Sequence, residues 1–420
     1  MAEGEYLEWL RGLGVKVERY EWKRCDGDGG KGLCLCAKEA VAEGVAAVRA
    51  PIALAVSAES LVKHGETEAG DYLRGGGRSC TELVVMWLMR RRFFPGERDG
   101  KWDPYIRHLP ATFHDPLHWN EEELSNLRGT NLASAFPSYR ARVKAHYDAA
   151  FTAVHTHNPT VWSKLEVTWE RWLWGWSALH SRALPIRLLA DARAERRKSP
   201  PRKKRRTAQG RDDRPLQGGE FADILAGMQQ EAGEQEPLML PLLDSTNHVR
   251  LAKVRWESSP TEVQLYVEGR SLAEGEEIVN NYGSKEDEEM LLVYGFVEES
   301  GKPVYPLKLA GGDGRWGLRE DDPLPEGLVA TLSTMILRGG GDDSLSLQDL
   351  SDCDQKEVEL EAVAVINNLL SARLQELDPG LVSKQGDPYR VRLASLYRDG
   401  QRRCVELAIQ ETLKRLSPQT

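Results

Sequence analysis

Two Tyr-Gly steps, Tyr282-Gly283 and Tyr294-Gly295, bracket a short acidic, leucine-bearing segment in VNNYGSKEDEEMLLVYGF. A buried tyrosine needs a partner for its hydroxyl, because a desolvated polar group left unpaired is costly. Two such hydroxyls could anchor a core or line a site, and the pair alone leaves both readings open. A second constellation follows the apolar run of LMLPLLDSTNHV, which delivers Asp244, Asn247 and His248 in quick succession. An amide and an imidazole there could hold a ligand's polar head or fasten a neighbouring loop. No second His or Cys sits at ligand spacing, so no metal is expected. The third is the glycine loop of DGDGGKGLCLCA, with Gly30, Lys31, Gly32 and Leu33 before a strand. It lets backbone approach a ligand closely, but it lacks the ending of a P-loop and the helix of a dinucleotide fingerprint.

The elements that must position these groups follow from periodicity. Ser284 with Asp287 three residues on predicts a capped helix over SKEDEEMLLVY, its acids at the positive end of the helix dipole. Tyr282 would stand just before that helix and Tyr294 near its end, with Gly283 and Gly295 allowing tight turns. An apolar strand, Pro237 to Leu243, is expected to end at Asp244. Further strands are expected at Val15–Val17, Leu33–Ala37, Val45–Val48, Ile52–Val56, Val249–Trp256, Val263–Val267 and Glu277–Asn280. Helices are expected over residues 5–13, over Thr81–Arg91, and after Asn120, an N-cap with Glu123 three residues on. In the helix expected over Leu165–Leu179, Leu165, Trp169, Trp172, Trp176 and Leu179 share one face, which burial alone explains. Residues 326–337 and 355–417 also read as helical.

The 420 residues suffice for two or three domains, and 40% hydrophobic with 29% charged content is that of a globular chain. No apolar run approaches the roughly 20 residues of a membrane span, and the acidic N-terminus does not read as a signal or transit peptide. Six cysteines without a CxxC pair argue against a structural zinc and against a disulfide framework. The net charge is −9, yet Arg193 to Arg206 hold nine basic residues and one acid. The body is therefore acidic, and direct nucleic-acid binding is not expected of it. Residues 190–235 offer little to bury and read as an exposed, disordered basic insertion.

Order and spacing add what the single motifs lack. GGKGLCLCA, KWDPYIRHLPATFHDPLHWNEEELSNLRGT, WERWLWGWSALHSRAL, LLDSTNHV and LAEGEEIVNNYGSKEDEEMLLVYGFV together resemble the SET-domain protein methyltransferases. The likeness is to the subfamily typified by the Rubisco large-subunit lysine methyltransferase, which also includes ribosomal-protein lysine methyltransferases and an actin histidine methyltransferase. It covers roughly residues 5–310.

The resemblance implies an α+β protein. A β-rich SET core of small twisted sheets would span residues 1–310, interrupted by a helical insertion at about 80–235, and a mainly α-helical substrate-binding domain would span 311–420. The segment bearing Asn247 and His248 would pass the one bearing Tyr282 in a knot-like arrangement, an exception to unthreaded chains. The cofactor implied is S-adenosyl-L-methionine, held by Gly30, Lys31, Gly32 and Leu33, by Ser181 and Arg182 of HSRAL, and by Asn247 and His248. Tyr282 matches the tyrosine of the methyl-transfer channel and Tyr294 the second aromatic near the target amine. Asp244 matches an acidic position that orients the loop rather than reacting.

The activity implied is lysine N-methylation of a non-histone protein by a monomeric enzyme. The zinc-binding cysteine clusters of many histone methyltransferases are absent. Leu184 stands where lysine enzymes of the Rubisco type carry an aromatic, and it offers no hydrogen bond like that of the amide near there in the histidine-methylating relative. Histidine methylation, or a SET fold that binds a partner without turnover, are the rival readings. The basic patch Arg196 to Arg206 reads as a nuclear-localisation-like signal or as a solvated loop. Nucleus and/or cytoplasm is expected, a plastid less so, and a ribosomal or nuclear substrate would suit the basic surroundings.

Overall fold

Hydrophobic residues in this chain come in short runs broken by Gly, Pro and Asp, and such runs pair into small sheets rather than one large one. The computed structural model describes residues 2–24, 32–95, 100–164, 166–185, 236–259, 261–299, 301–309, 315–339 and 347–417. Strand β1 (Tyr20–Arg24) pairs antiparallel with β2 (Leu33–Ala37), Trp22 opposite Leu35. Strands β3 (Val48–Pro51), β6 (Val254–Ser258) and β7 (Glu262–Val267) form a second sheet with β7 in the middle. Between them, β4 (Leu184–Pro185) pairs with β5 (Pro237–Leu238). A hairpin of β8 (Tyr305–Lys308) and β9 (Arg315–Leu318) is the fourth sheet.

Several expected strands take other forms. Val15–Val17 leads into a 3-10 turn at Val17–Arg19, and Ile52–Val56 forms one at Ile52–Leu54. The strand expected at Val45–Val48 begins only at Val48, and that expected at Val249–Trp256 only at Val254. The run from Pro237 leaves its ladder after Leu238, keeps a single bridge from Met239 to Val56, and turns into a 3-10 segment at Leu243–Ser245. Leu238, Met239, Leu240, Leu242 and Leu243 are all fully buried. Burial, not strand pairing, accounts for their apolar character.

The helices follow their sequence signals more closely. Asn120 caps the helix Glu121–Ser125, and its capping box with Glu123 closes at 2.8 and 2.9 Å. The tryptophan-rich helix runs from Trp169 to His180, starting where the Thr168 hydroxyl accepts the Arg171 N–H. Leu165, expected inside it, lies outside the described residues. Trp172 and Trp176 are buried, as packing alone would require. The helix packs on Cys80–Phe93, both within the expected helical insertion. The basic stretch at 190–235 lies outside the described residues.

Compactness divides the chain into one unit of Met1–Phe113 and Ala141–Ser284 and another of His114–Arg140 and Lys285–Thr420. The change near residue 285 falls before the boundary expected at 310. The reason is burial: Tyr305, Leu307 and Leu318 of the β8–β9 hairpin share a core with Leu328, Val363, Ile366 and Val405 of the C-terminal helices. Those helices are Glu326–Gly339, Asp352–Glu376 and Pro388–Leu416, so the helical reading of the C-terminal region holds.

Candidate active site

The first unit brings three distant pieces of sequence to one place. Glu276 to Ile278 lie against β2: Ala37 N–H donates to the Glu276 carbonyl at 2.9 Å and Ile278 N–H to the Leu35 carbonyl at 2.8 Å. The same segment then runs beside Asn247–Val249. His248 and Asn280 form a parallel bridge, with Asn280 N–H on the Asn247 carbonyl and Val249 N–H on the Asn280 carbonyl, each at 2.8 Å.

Side chains lock this crossing. The Asn247 amide donates to the Leu33 carbonyl at 3.2 Å and to a Glu277 carboxylate oxygen at 2.9 Å, tying all three segments together. His248 is buried, and its Nδ1 accepts the Tyr282 N–H at 3.0 Å, so that nitrogen carries no proton. Its ring lies 5.1 Å from the Tyr282 ring. The Tyr282 hydroxyl donates to the Thr246 carbonyl at 2.8 Å. Asn281 donates to the carbonyls of Arg250 and Ala252, and its Oδ1 accepts the Gly283 N–H at 2.9 Å.

Asp244 is buried just before the crossing. Its carboxylate accepts the Tyr105 hydroxyl at 2.5 Å, and its carbonyl accepts an Arg182 guanidinium N–H at 2.7 Å. Burial pushes the Asp244 carboxyl up to about 6, against the opposing pull of Arg182 and the hydrogen bonds from Tyr105 and Ser245. Burial also drives the Tyr6 and Tyr105 hydroxyls well above the usual tyrosine range, with Asp244 adding to both. These phenols are neutral donors and acceptors at any physiological pH.

Of the residues singled out in the sequence, Leu33, Asn247, His248 and Tyr282 thus join in one hydrogen-bonded crossing, and Arg182 reaches its Asp244 end. Gly32 precedes Leu33 with φ +73°, and among the described residues nothing lies within 4 Å of where its side chain would stand. The Ser181 hydroxyl bonds back to the Ser177 carbonyl at 2.6 Å, closing its own helix. Gly30 and Lys31 lie outside the described residues. Glu277, Thr246, Tyr105 and Tyr6 were not singled out, because their roles rest on partners 30 to 236 residues away.

Tyr294 belongs to the second unit. The expected Ser284 cap does not form. The helix starts after Glu286, runs only Asp287–Glu289, and continues as a π-helical turn, Met290–Tyr294. Asp287 is instead buried and accepts the Lys302 N–H at 2.8 Å, which removes it from any capping box. The Lys285 ammonium sits 5.6 Å from the centre of the Tyr294 ring and pairs with Glu289. Burial, then the Glu289 charge, pushes the Tyr294 hydroxyl up to about 12.

Comparison with known proteins gives this geometry its context. No family model matches the chain. Ribosomal lysine N-methyltransferase set10 of Schizosaccharomyces pombe is 28% identical over 200 residues, covering 47% of this chain and 28% of that protein. The chloroplastic ribulose-1,5 bisphosphate carboxylase/oxygenase large subunit N-methyltransferase of Nicotiana tabacum is 26% identical over 178 residues, 42% of this chain and 34% of that one. N-lysine methyltransferase setd6 of Danio rerio is 22% identical over 270 residues, 63% of this chain and 50% of that one. The chain thus spans about a third of the length of the first curated relatives it matches. Among solved structures, Rubisco LSMT bound to sinefungin and monomethyllysine superimposes with a TM-score of 0.68 at 16% identity, covering 98% of this chain and 92% of that one. Rubisco LSMT bound to AdoMet gives 0.65 at 16% identity, covering 99% and 92%. The chain therefore has the SET-domain fold of the Rubisco large-subunit methyltransferase, and its sequence relatives are SET-domain lysine methyltransferases.

Proposed function

We propose that this chain is an S-adenosylmethionine-dependent protein-lysine N-methyltransferase acting on a non-histone protein. The observation that carries the reading is the crossing of Thr246–Val249 with Asn280–Tyr282, where the Tyr282 hydroxyl is aimed by the Thr246 carbonyl. The names of the relatives and the fold support it.

The residues present fit a sulfonium cofactor. The Tyr282 ring lies beside the buried His248 ring and, through its hydroxyl, against the Thr246 carbonyl, an aromatic face next to a carbonyl oxygen that suits a cationic group. We assign cofactor contacts to Gly30, Lys31, Gly32, Leu33, Ser181, Arg182, Asn247, His248 and Tyr282. When bound, the cofactor would supply an electrophilic methyl for in-line displacement by an amine. The chain's part is alignment and desolvation. Asn247 fixes the wall beside Leu33, and a water-poor aromatic surface lowers the pKa of a target ammonium so that its lone pair is available. Tyr282, its hydroxyl held by a carbonyl, keeps a fixed orientation toward the reacting amine. Tyr294 is the second tyrosine we assign to the methyl-transfer step, on the sequence resemblance, and its neutral hydroxyl suits hydrogen bonding rather than proton removal.

We further take the enzyme to be a monomer that uses residues 311–420 to hold its protein substrate. The basic patch Arg196 to Arg206, outside the described residues, supports a nuclear and/or cytoplasmic location. The test is transfer of labelled methyl from S-adenosylmethionine into a source-matched cell extract by wild type and Tyr282→Phe, with the labelled band hydrolysed. Methyllysine whose formation drops at least tenfold in Tyr282→Phe, with cofactor binding kept, is the expected outcome. Methylhistidine, or binding without transfer, would sink the lysine reading.

A further inference from the structure

Leu242 has φ +79°, and it is the one non-glycine residue with positive φ among the described residues. A side chain at Cβ disfavours that conformation, so surrounding contacts must impose it. Two tyrosines from distant helices supply them. Leu242 N–H donates to the Tyr6 hydroxyl at 2.9 Å, and the Tyr105 hydroxyl donates to the Asp244 carboxylate at 2.5 Å. Tyr6 lies in the helix Ala2–Gly12 and Tyr105 in Asp103–His108, and both rings are fully buried. Their centres are 6.4 Å apart, and His108 stacks on Tyr6 at 3.9 Å. One residue beyond the 3-10 segment stands Thr246, whose carbonyl accepts the Tyr282 hydroxyl.

We propose that Tyr105, with Tyr6 beside it, is a positioning residue for methyl transfer: it sets the Leu242–Ser245 turn and through it the carbonyl that aims the Tyr282 hydroxyl. This rests on the methyltransferase reading. The Tyr105 hydroxyl is bonded to the Asp244 side chain and the Tyr282 hydroxyl to the Thr246 carbonyl, so the influence of one on the other passes through the backbone of the turn. The groups facing the Asp244 carboxylate are Arg182, Tyr105, Ser245 and Tyr6, and His108 nearby is held neutral by burial, down at about 3. Removing the Tyr105 hydroxyl takes away one of the bonds that hold the carboxyl down, so its protonation moves toward neutral pH.

The test uses the full chain with Tyr105→Phe and, as a second variant, Tyr105→Phe/Asp244→Asn. In protein labelled with carbon-13 at the tyrosine ring carbon bearing oxygen, the Tyr282 resonance is assigned by its loss in Tyr282→Phe. Without any cofactor, that resonance shifts in Tyr105→Phe. With cofactor and extract, transfer at pH 7.5 falls about tenfold while the Kd for S-adenosylmethionine by calorimetry stays within about threefold. The acid limb of the pH profile moves up in Tyr105→Phe and flattens in the double variant. An unmoved Tyr282 resonance in a folded Tyr105→Phe protein overturns the proposal, as does equal loss of transfer and cofactor affinity. A wild type that neither binds cofactor nor transfers methyl, while the resonance shifts as expected, overturns the methyltransferase reading and leaves the geometric coupling standing.

Discussion

Replacing Gly283 and Gly295 separately by alanine would measure two different costs. Both glycines have positive φ, +100° and +72°. An alanine forced there pays for its Cβ in a conformation L residues avoid, about 1–2 kcal/mol. At Gly283 that is the whole cost, because a built Cβ meets nothing within 4 Å. At Gly295 the same Cβ would stand 2.7 Å from the Asp115 nitrogen and 2.9 Å from the His114 carbonyl carbon. Both are backbone atoms, so no rotamer change relieves the contact and the segment must shift by several tenths of an ångström. Overpacking of that kind adds about 2 kcal/mol, so Gly295→Ala should cost about 3–4 kcal/mol against 1–2 for Gly283→Ala. Urea unfolding by circular dichroism would give the totals, and hydrogen exchange at Met290–Phe296 and at Asn280–Gly283 would read each loss in its own compact unit. A Gly295→Ala protein no less stable than Gly283→Ala would refute the steric reasoning.

Asn247→Ala removes the amide that ties Leu33 to Glu277 and should weaken S-adenosylmethionine binding about tenfold, a hydrogen-bond-sized effect; calorimetry on the purified chain checks it, and an unchanged Kd contradicts the assignment. Asp244 titrates near 6 in the folded chain against an ordinary value of 3.8. Its folded-state contribution is therefore full below pH 3.8 and lost as pH rises to about 6, roughly 3 kcal/mol for the fully buried group. Asp244→Asn should gain on wild type by up to about that amount between pH 4 and pH 7, and parallel stability curves for the two proteins would contradict it.

Legibility in the sequence tracked the range of the interaction. The Asn120 capping box lies within four residues, and its three-residue spacing is visible in the chain and closes in the fold. The tryptophan helix was readable because burial of one face imposes helical spacing, although its start depended on the Thr168 cap. The Ser284 cap failed for the opposite reason. Its partner Asp287 is claimed by Lys302, fifteen residues on. The leucines before Asp244 announce burial, yet whether a buried run forms a ladder depends on a neighbouring edge that short-range pattern does not encode.

The candidate site divides along the same line. Residue types pointed to Asn247 and His248, since an amide and an imidazole after an apolar run must bond something once desolvated, whereas Leu33 and Tyr282 were assigned to the site only through the resemblance that the order of the motifs carries. What they bond was decided by tertiary structure. Tyr282 finds a carbonyl 36 residues back, Asn247 a carbonyl 214 residues away, and Asp244 a phenol at a separation of 139. Such pairings leave no periodic trace, because either partner would be just as plausible exposed to water. Sequence thus determined which groups had to be satisfied, and the fold determined by whom, because desolvation is local while the partner's position depends on the whole path of the chain.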